Sequence, residues 1–264
     1  MVKQLALEYK KAIYDKGILL TVMGIFLIHF FNLLDEIKLH PTHESGFVLY
    51  FWVHRHGLGA FSLMTFLFVG LSYAVQFSME RNTGSWKYYL IRQNVFTYGM
   101  AKIVVTISTA MIACFIAYFL LWLYLTGKYG LFPEDSVYLL QMVENLPFAE
   151  LAMEKNILFF FLNLIPEIMM FSFLAMIALY SALYSPNRYV VLASPLVIYY
   201  GWNYITGSLR LPEIFCWPLK IGTGFQYWES SVYNTLFTVG YYLAGIVILS
   251  IFFIRKLKEV MEYA

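Results

Sequence analysis

The chain alternates between long apolar runs and short polar ones. Apolar residues dominate six stretches: 18–34, 58–78, 99–126, 157–184, 189–208 and 233–254. About 20 such residues wound as a helix cross about 30 Å of hydrocarbon, so the pattern predicts six membrane-spanning helices. The fourth and fifth are divided only by Ser185, Pro186, Asn187 and Arg188. Proline there removes a helical N–H and bars the preceding residue from helical geometry, so a tight turn is expected.

Three further segments break the alternation. Residues 1–17 hold Val2, Leu5, Ala6, Tyr9, Ala12 and Ile13 at helical spacing, with lysines and acids between them. That spacing predicts an amphipathic helix lying in the membrane plane with its lysines toward headgroups. Its simplest role is a positive anchor that sets topology; the alternative is an elbow that also touches a cytoplasmic partner. Residues 79–98 are charged, and residues 208–231 are half-apolar but broken by Pro212 and Pro218. The run into the first span has no small-residue cleavage site, so no cleavable leader is expected.

Composition agrees with a membrane protein. Of 264 residues, 61% are hydrophobic and 13% charged, and the mean hydropathy is +0.66. Soluble domains carry about 25% charged residues, twice what is available here to coat a globule. A net charge of +2 gives no footprint for nucleic acid. Cys114 and Cys216 form no CxxC pair, so neither a disulfide framework nor a zinc site is expected.

Charge placement orients the spans. With the N-terminus inside, Lys3, Lys10, Lys11, Lys16, Arg81, Lys87, Arg92, Lys102, Arg188, Arg255, Lys256 and Lys258 all fall on the cytoplasmic side. Lys38, Arg55, Lys128, Lys155, Arg210 and Lys220 fall outside, with most of the acids. The excess of basic residues inside places both termini in the cytoplasm.

The stretch from Glu80 to Lys102, "ERNTGSWKYYLIRQNVFTYGMAK", is therefore cytoplasmic, and it is longer than a connection needs. Gly84 can end the incoming helix, and "SWKYYLIRQ" is helix-compatible, with Trp86, Tyr89, Leu90 and Gln93 near one face. A short helix held under the bilayer by two rigid spans is a lever.

On these residues the chain resembles the transmembrane subunits of ABC-2-type (type V) ABC exporters. The family pattern in this loop is matched by Glu80, Gly84, Leu90, Ile91 and Lys102; Gly99 is displaced from its place beside the lysine, and Arg92-Gln93-Asn94 stands where Pro-x-Ser is common. The resemblance implies an all-α integral membrane protein forming one permease domain over 1–264, with an interfacial helix, six spans, a coupling helix between spans two and three, and a re-entrant helical pair before span six. It assigns contact with a separate ATPase to Glu80, Arg81, Gly84, Trp86, Lys87, Tyr89, Leu90 and Arg92. It also implies two ATPase chains that hold ATP and Mg, and a second permease copy, identical or related, in a bacterial cytoplasmic membrane. No G-x-x-x-x-G-K-[ST] motif occurs in this chain, so no cofactor or ATP site of its own is expected.

For residues 208–231 the same resemblance implies a pair of short helices closing the outer exit, with Pro212, Trp217, Pro218, Tyr227 and Trp228 as gate residues. Without it, the aromatic residues would sit at headgroup level on an interfacial loop.

Five polar residues fall in the outer halves of spans: His29, Asn32, Asn163, Glu167 and Asn203. A carboxyl at membrane depth marks a buried network or a functional site. Glu167 follows Pro166, so it either bonds Asn163 one turn earlier and holds a kink, or lines a translocation path with the other four. The histidines of the 40–56 loop (His40, His43, His54, His56, with Glu44) lack the H-E-x-x-H frame of a metalloprotease and are expected to be solvated rather than metal-bound.

Three classes of function are compatible with a chain of this kind: an exporter permease, an intramembrane enzyme, and a channel or structural membrane protein. H-E-x-x-H and G-x-S-x-G are absent and no span carries a paired acid and base, so no catalytic residue is assigned. For an exporter the expected cargo is hydrophobic or amphipathic, and the small size and short outer loops argue against a large folded one. Among permeases of this family, exporters of cytolytic or antimicrobial peptides such as phenol-soluble modulins are similar in size and aromatic content; drugs, lantibiotics and lipid-linked molecules are the alternatives.

Overall fold

The computed structural model describes residues 2–39, 64–91, 94–130, 146–211 and 228–262, and no strand occurs among them. The described residues form ten α-helices: α1 Val2–Tyr14, α2 Gly17–Leu39, α3 Thr65–Val69, α4 Ala74–Asn82, α5 Ser85–Ile91, α6 Val95–Tyr129, α7 Leu151–Glu154, α8 Asn156–Ser181, α9 Arg188–Ser208 and α10 Ser231–Glu262. A single 3-10 turn, Gly70–Ser72, joins α3 to α4.

Four helices are long and apolar enough to cross a bilayer: α2, α6, α8 and α10. They make this a multi-pass membrane protein. Part of the expected second span, residues 58–63, lies outside the described residues. Its described part is α3, the 3-10 turn and α4 in series. The expected fifth span is helical throughout as α9, but Tyr199, Tyr200, Trp202, Asn203 and Tyr204 make it less apolar than the other four. The expected turn between spans four and five is present: α8 ends at Ser181, and Asn187 caps α9 by accepting the Tyr189 N–H at 2.9 Å.

Helix α8 is the centre of the bundle, packing on α6, α9 and α10. Its partner α6 turns Ala110, Ala113, Cys114 and Ala117 inward at helical spacing, all fully buried. Lipid tails are as apolar as leucine, so helices in a membrane associate by close fit, and small residues permit it. Bulk is supplied by rings: Trp122 stacks on Phe160 at 5.1 Å, and Phe115, Phe119 and Phe161 form a second stack. Helix α2 meets α3 and the 3-10 turn through Gly17, Thr21 and Gly24. Thr21 Oγ1 is 2.9 Å from both the Gly17 and Phe68 carbonyls.

The N-terminal helix forms where expected, but Lys11, expected toward headgroups, is turned to the protein. Gln4, Glu8 and Ala12 are its buried residues, with Leu5, Tyr9 and Lys11 beside them, while Val2 (80%) and Ile13 (67%) are exposed. Polar residues of α1 therefore face protein and part of its apolar stripe faces outward. Helix α1 hands over to α2 through Lys16, whose φ of 56° lies in the left-handed region and allows the sharp bend.

Candidate functional site: a buried charge ring

Two carboxylates and two ammonium groups close a ring where α1, α4 and α6 meet. Lys102 Nζ donates to Glu8 Oε2 at 2.7 Å, to Glu80 Oε2 at 2.6 Å and to the Tyr73 hydroxyl at 2.8 Å. Lys11 Nζ donates to Glu8 Oε1 at 2.9 Å and to Glu80 Oε1 at 2.8 Å. Each carboxylate thus gives one oxygen to each ammonium, and the charges alternate and cancel. The side chains of Lys102 and Glu8 are fully buried (0% exposed), while Glu80 and Lys11 are partly exposed (11% and 18%).

Burial at this level demands that every donor be met, since an unpaired buried charge costs several kcal/mol. All three Lys102 protons find acceptors. Tyr73 donates to Glu8, Gln4 Nε2 donates to Glu8 Oε1 at 2.9 Å, and Tyr98 donates to Glu80 Oε2 at 3.0 Å. The rings of Tyr73, Phe77 and Tyr98 surround the Lys102 ammonium at 5.1, 5.6 and 5.2 Å, within reach of cation–π attraction.

Burial pushes the Glu8 carboxyl up, but Lys102, the Tyr73 hydrogen bond and Lys11 together hold it below the ordinary glutamate value. For Lys11, burial pulls the ammonium down, while Glu80 and Glu8 outweigh it and leave it raised. A depressed carboxylate contributes stability above its unfolded pKa and loses it as pH falls. A raised ammonium contributes below its unfolded pKa and loses it as pH rises. The ring is therefore strongest between the acidic range of Glu8 and the alkaline range of Lys11. The expected result is that the melting temperature of the purified protein falls as pH drops below about 4.5, and that Glu8→Gln flattens this dependence. An unchanged acid profile in Glu8→Gln would count against the ring as its source.

Directly beyond the ring, α4 ends at Asn82 and the chain turns through Gly84 (φ 71°) into α5. No atom lies within 4 Å of a Cβ built on Gly84, so backbone conformation alone selects glycine there. Trp86 is 5% exposed and anchors α5, whereas Lys87 and Tyr88 are exposed. Arg81 reaches the opposite way from Glu80: its Nη1 donates to the Ala182 carbonyl at 2.6 Å, and its guanidinium lies 6.0 Å from the Trp86 ring. Burial pulls the Arg81 guanidinium down from its ordinary value, yet a group of this basicity keeps its charge at neutral pH.

The residues assigned to ATPase contact thus divide by placement. Glu80 belongs to the ring, Arg81 and Trp86 are turned into the protein, Gly84 forms the turn, and Lys87 is presented outward. Tyr89 and Leu90 lie on α5 without described side chains, and Arg92 lies outside the described residues. Sequence reasoning missed Gln4, Glu8, Lys11, Tyr73 and Tyr98 as partners of Glu80 and Lys102. A lysine within an apolar helix was the available signal, because it requires a carboxylate from somewhere in the fold.

The five polar residues of the spans sit on three helices: His29 and Asn32 on α2, Asn163 and Glu167 on α8, and Asn203 on α9. His29 Nε2 lies 3.1 Å from the Tyr118 hydroxyl, joining α2 to α6. Asn163 gives both amide protons to backbone carbonyls, those of Pro147 and Phe159, each at 3.1 Å. Glu167 is buried on α8. Asn203 on α9 and Asn32 on α2 are half-buried. None of the five lines the cleft of about 510 Å³ beside the α8–α9 turn, whose walls include Met79, Asn82, Pro186 and Arg188. None lines the apolar pocket of about 100 Å³ formed by Phe173, Leu174, Ile198, Tyr199, Trp202 and Tyr241.

Of the expected outer-gate residues, Pro212, Trp217, Pro218 and Tyr227 lie outside the described residues. Trp228 packs on the start of α10: its N–H donates to Asn234 Oδ1 at 3.0 Å, and its ring meets Phe237 at 4.7 Å. The histidines of the 40–56 loop also lie outside the described residues. Among the described residues no three His, Cys, Asp or Glu side chains gather as metal ligands.

No protein-family model, no curated protein and no solved structure matches this chain.

Proposed function

We propose that this chain is the membrane permease of an ATP-driven exporter, worked by a separate ATPase that grips α5. The observation that carries the reading is the way α5 is held. It is a short helix between α4 and α6, with Trp86 buried as an anchor, Lys87 and Tyr88 exposed, and the charge ring fixing α1, α4 and α6 behind it. A simple connection needs none of this. A helix that must transmit force needs a stiff mount and exposed side chains that a partner can reach.

In this reading six spans cross a bacterial cytoplasmic membrane with both termini inside. Two permease copies pair with two ATPase chains, which hold ATP and Mg. Apolar spans and short outer connections fit a hydrophobic or amphipathic cargo, with cytolytic or antimicrobial peptides preferred over drugs, lantibiotics and lipid-linked molecules. The gate residues keep the role that the resemblance implies, and His29, Asn32, Asn163, Glu167 and Asn203 are the candidates for the translocation path.

The direct test is reconstitution in liposomes with the cognate ATPase. Amphipathic helical peptides should stimulate ATP hydrolysis. Stimulation by drugs or lipid-linked sugars instead would reassign the cargo, and pore conductance without ATP would move the protein to the channel class.

The contact itself has a sharper test. Arg81 is held against α8, so reversing its charge disturbs the fold; Lys87 is the informative position. Lys87→Glu should weaken co-purification with the ATPase about tenfold, or about 1.4 kcal/mol, with the melting temperature unchanged. Full recovery of the complex in that variant would remove α5 as the docking element.

A further inference from the structure

Covalent connection joins α5 only to α4 and α6, yet its mount has a third leg. Glu80 and Arg81, neighbours at the end of α4, diverge: Glu80 enters the ring with α1 and α6, and Arg81 bonds the Ala182 carbonyl. Ala182 is the C-cap of α8, so its carbonyl is among those a helix end leaves without an intrahelical partner. A cation is favoured at that end by the aligned peptide dipoles. Trp86, the anchor of α5, lies against the same guanidinium. Ala182 and Leu183 are buried, and Ser181 is tied to Ser194 of α9 at 2.9 Å. Pro166 and Glu167 lie on the same helix about 24 Å away, at 1.5 Å per residue.

We infer that Arg81 is a positioning residue that straps α5 to the end of α8, so that a load on α5 reaches the central helix and its Pro166–Glu167 segment as well as α4 and α6. The strap stands on the geometry alone; its role in transmission rests on the exporter reading. Two adjacent residues pulling in opposite directions make the last turn of α4 a rigid node. Motion of α5 cannot then be absorbed by α4 alone. Helix α4 also packs on α8 and α9, so Arg81 is the added tie at its end: one guanidinium–carbonyl hydrogen bond and one ring contact, both removed by a single substitution.

The test has two arms, both in the full chain with Cys114→Ala and Cys216→Ser. In the first, spin labels at Lys87→Cys and Tyr184→Cys, both exposed positions, report the α5-to-α8 distance in the permease alone. Arg81→Gln should broaden that distribution roughly twofold and Arg81→Lys less, because lysine keeps the charge without the planar fork. An unchanged width in Arg81→Gln overturns the strap, whatever the protein transports. In the second arm the complex with its ATPase carries Ile165→Cys, an exposed position next to Pro166. ATP should change its thiol labelling rate, and Arg81→Gln should abolish that change. An ATP response that persists in Arg81→Gln overturns transmission through Arg81. A parent complex with no ATP response removes the exporter reading and leaves the strap to be judged by the first arm.

Discussion

Replacing Lys102 with methionine is expected to destabilise the bundle by about 3–5 kcal/mol, the cost typical of breaking a buried ion pair from one side. Lysine and methionine have similar length, so packing is nearly conserved and the loss is electrostatic. Glu8 and Glu80 would be left with Lys11 as the only cation between them, and three hydrogen bonds would disappear. Neutralising one carboxylate should restore much of the loss. Lys102→Met with Glu8→Gln keeps the Glu80–Lys11 pair and a net charge of zero, so the double variant should be more stable than Lys102→Met alone. Thermal melting or denaturant titration in detergent gives all the corners of this cycle. A double variant that is additively worse would mean that the four groups do not act as a unit.

The second large effect is expected from Gly17→Ala. A Cβ at Gly17 would lie 2.4 Å from the Leu71 carbonyl oxygen and 3.2 Å from that of Ser72, both backbone atoms of the 3-10 turn. No side chain can swing away to make room, so α2 must move off the turn. Overpacking of this kind costs about 1–3 kcal/mol or more. That movement would also disturb the Thr21 hydrogen bond to the Phe68 carbonyl. Gly201→Ala and Gly240→Ala are the controls: nothing lies within 4 Å of either position, and alanine is the better helix former by up to about 1 kcal/mol. Equal losses at all three glycines would refute the close contact at Gly17.

Much of the fold was legible in the chain because bilayer physics acts on local sequence. Uninterrupted apolar runs produced α2, α6, α8 and α10, and Pro186 with Asn187 marked the turn between α8 and α9. The helix-compatible stretch after Gly84 became α5. Helix α1 was legible as an amphipathic helix, but what its polar side would meet was not. Periodicity separates apolar from polar residues but does not say which side meets protein, and at α1 the polar residues Gln4, Glu8 and Lys11 turn inward because Lys102 and Glu80 await them.

The candidate site was half legible. Glu80 and Lys102 stood out individually, but their partners lie far away in sequence and carry no local signature of pairing. Asn163 illustrates the same difficulty. One turn from Glu167, it could bond to that carboxyl, yet its amide protons go to Phe159 on its own helix and to Pro147 in the segment before α7.

Sequence alone determined that this protein is helical and membrane-embedded and where most of its helices run, because the cost of exposing backbone polar groups to lipid is settled within each segment. Tertiary structure alone decided which charges meet. Coulomb attraction and hydrogen bonding depend on distances that chain spacing does not encode, so only folding brought Glu8, Lys11, Glu80 and Lys102 into one ring and aimed Arg81 at the end of α8.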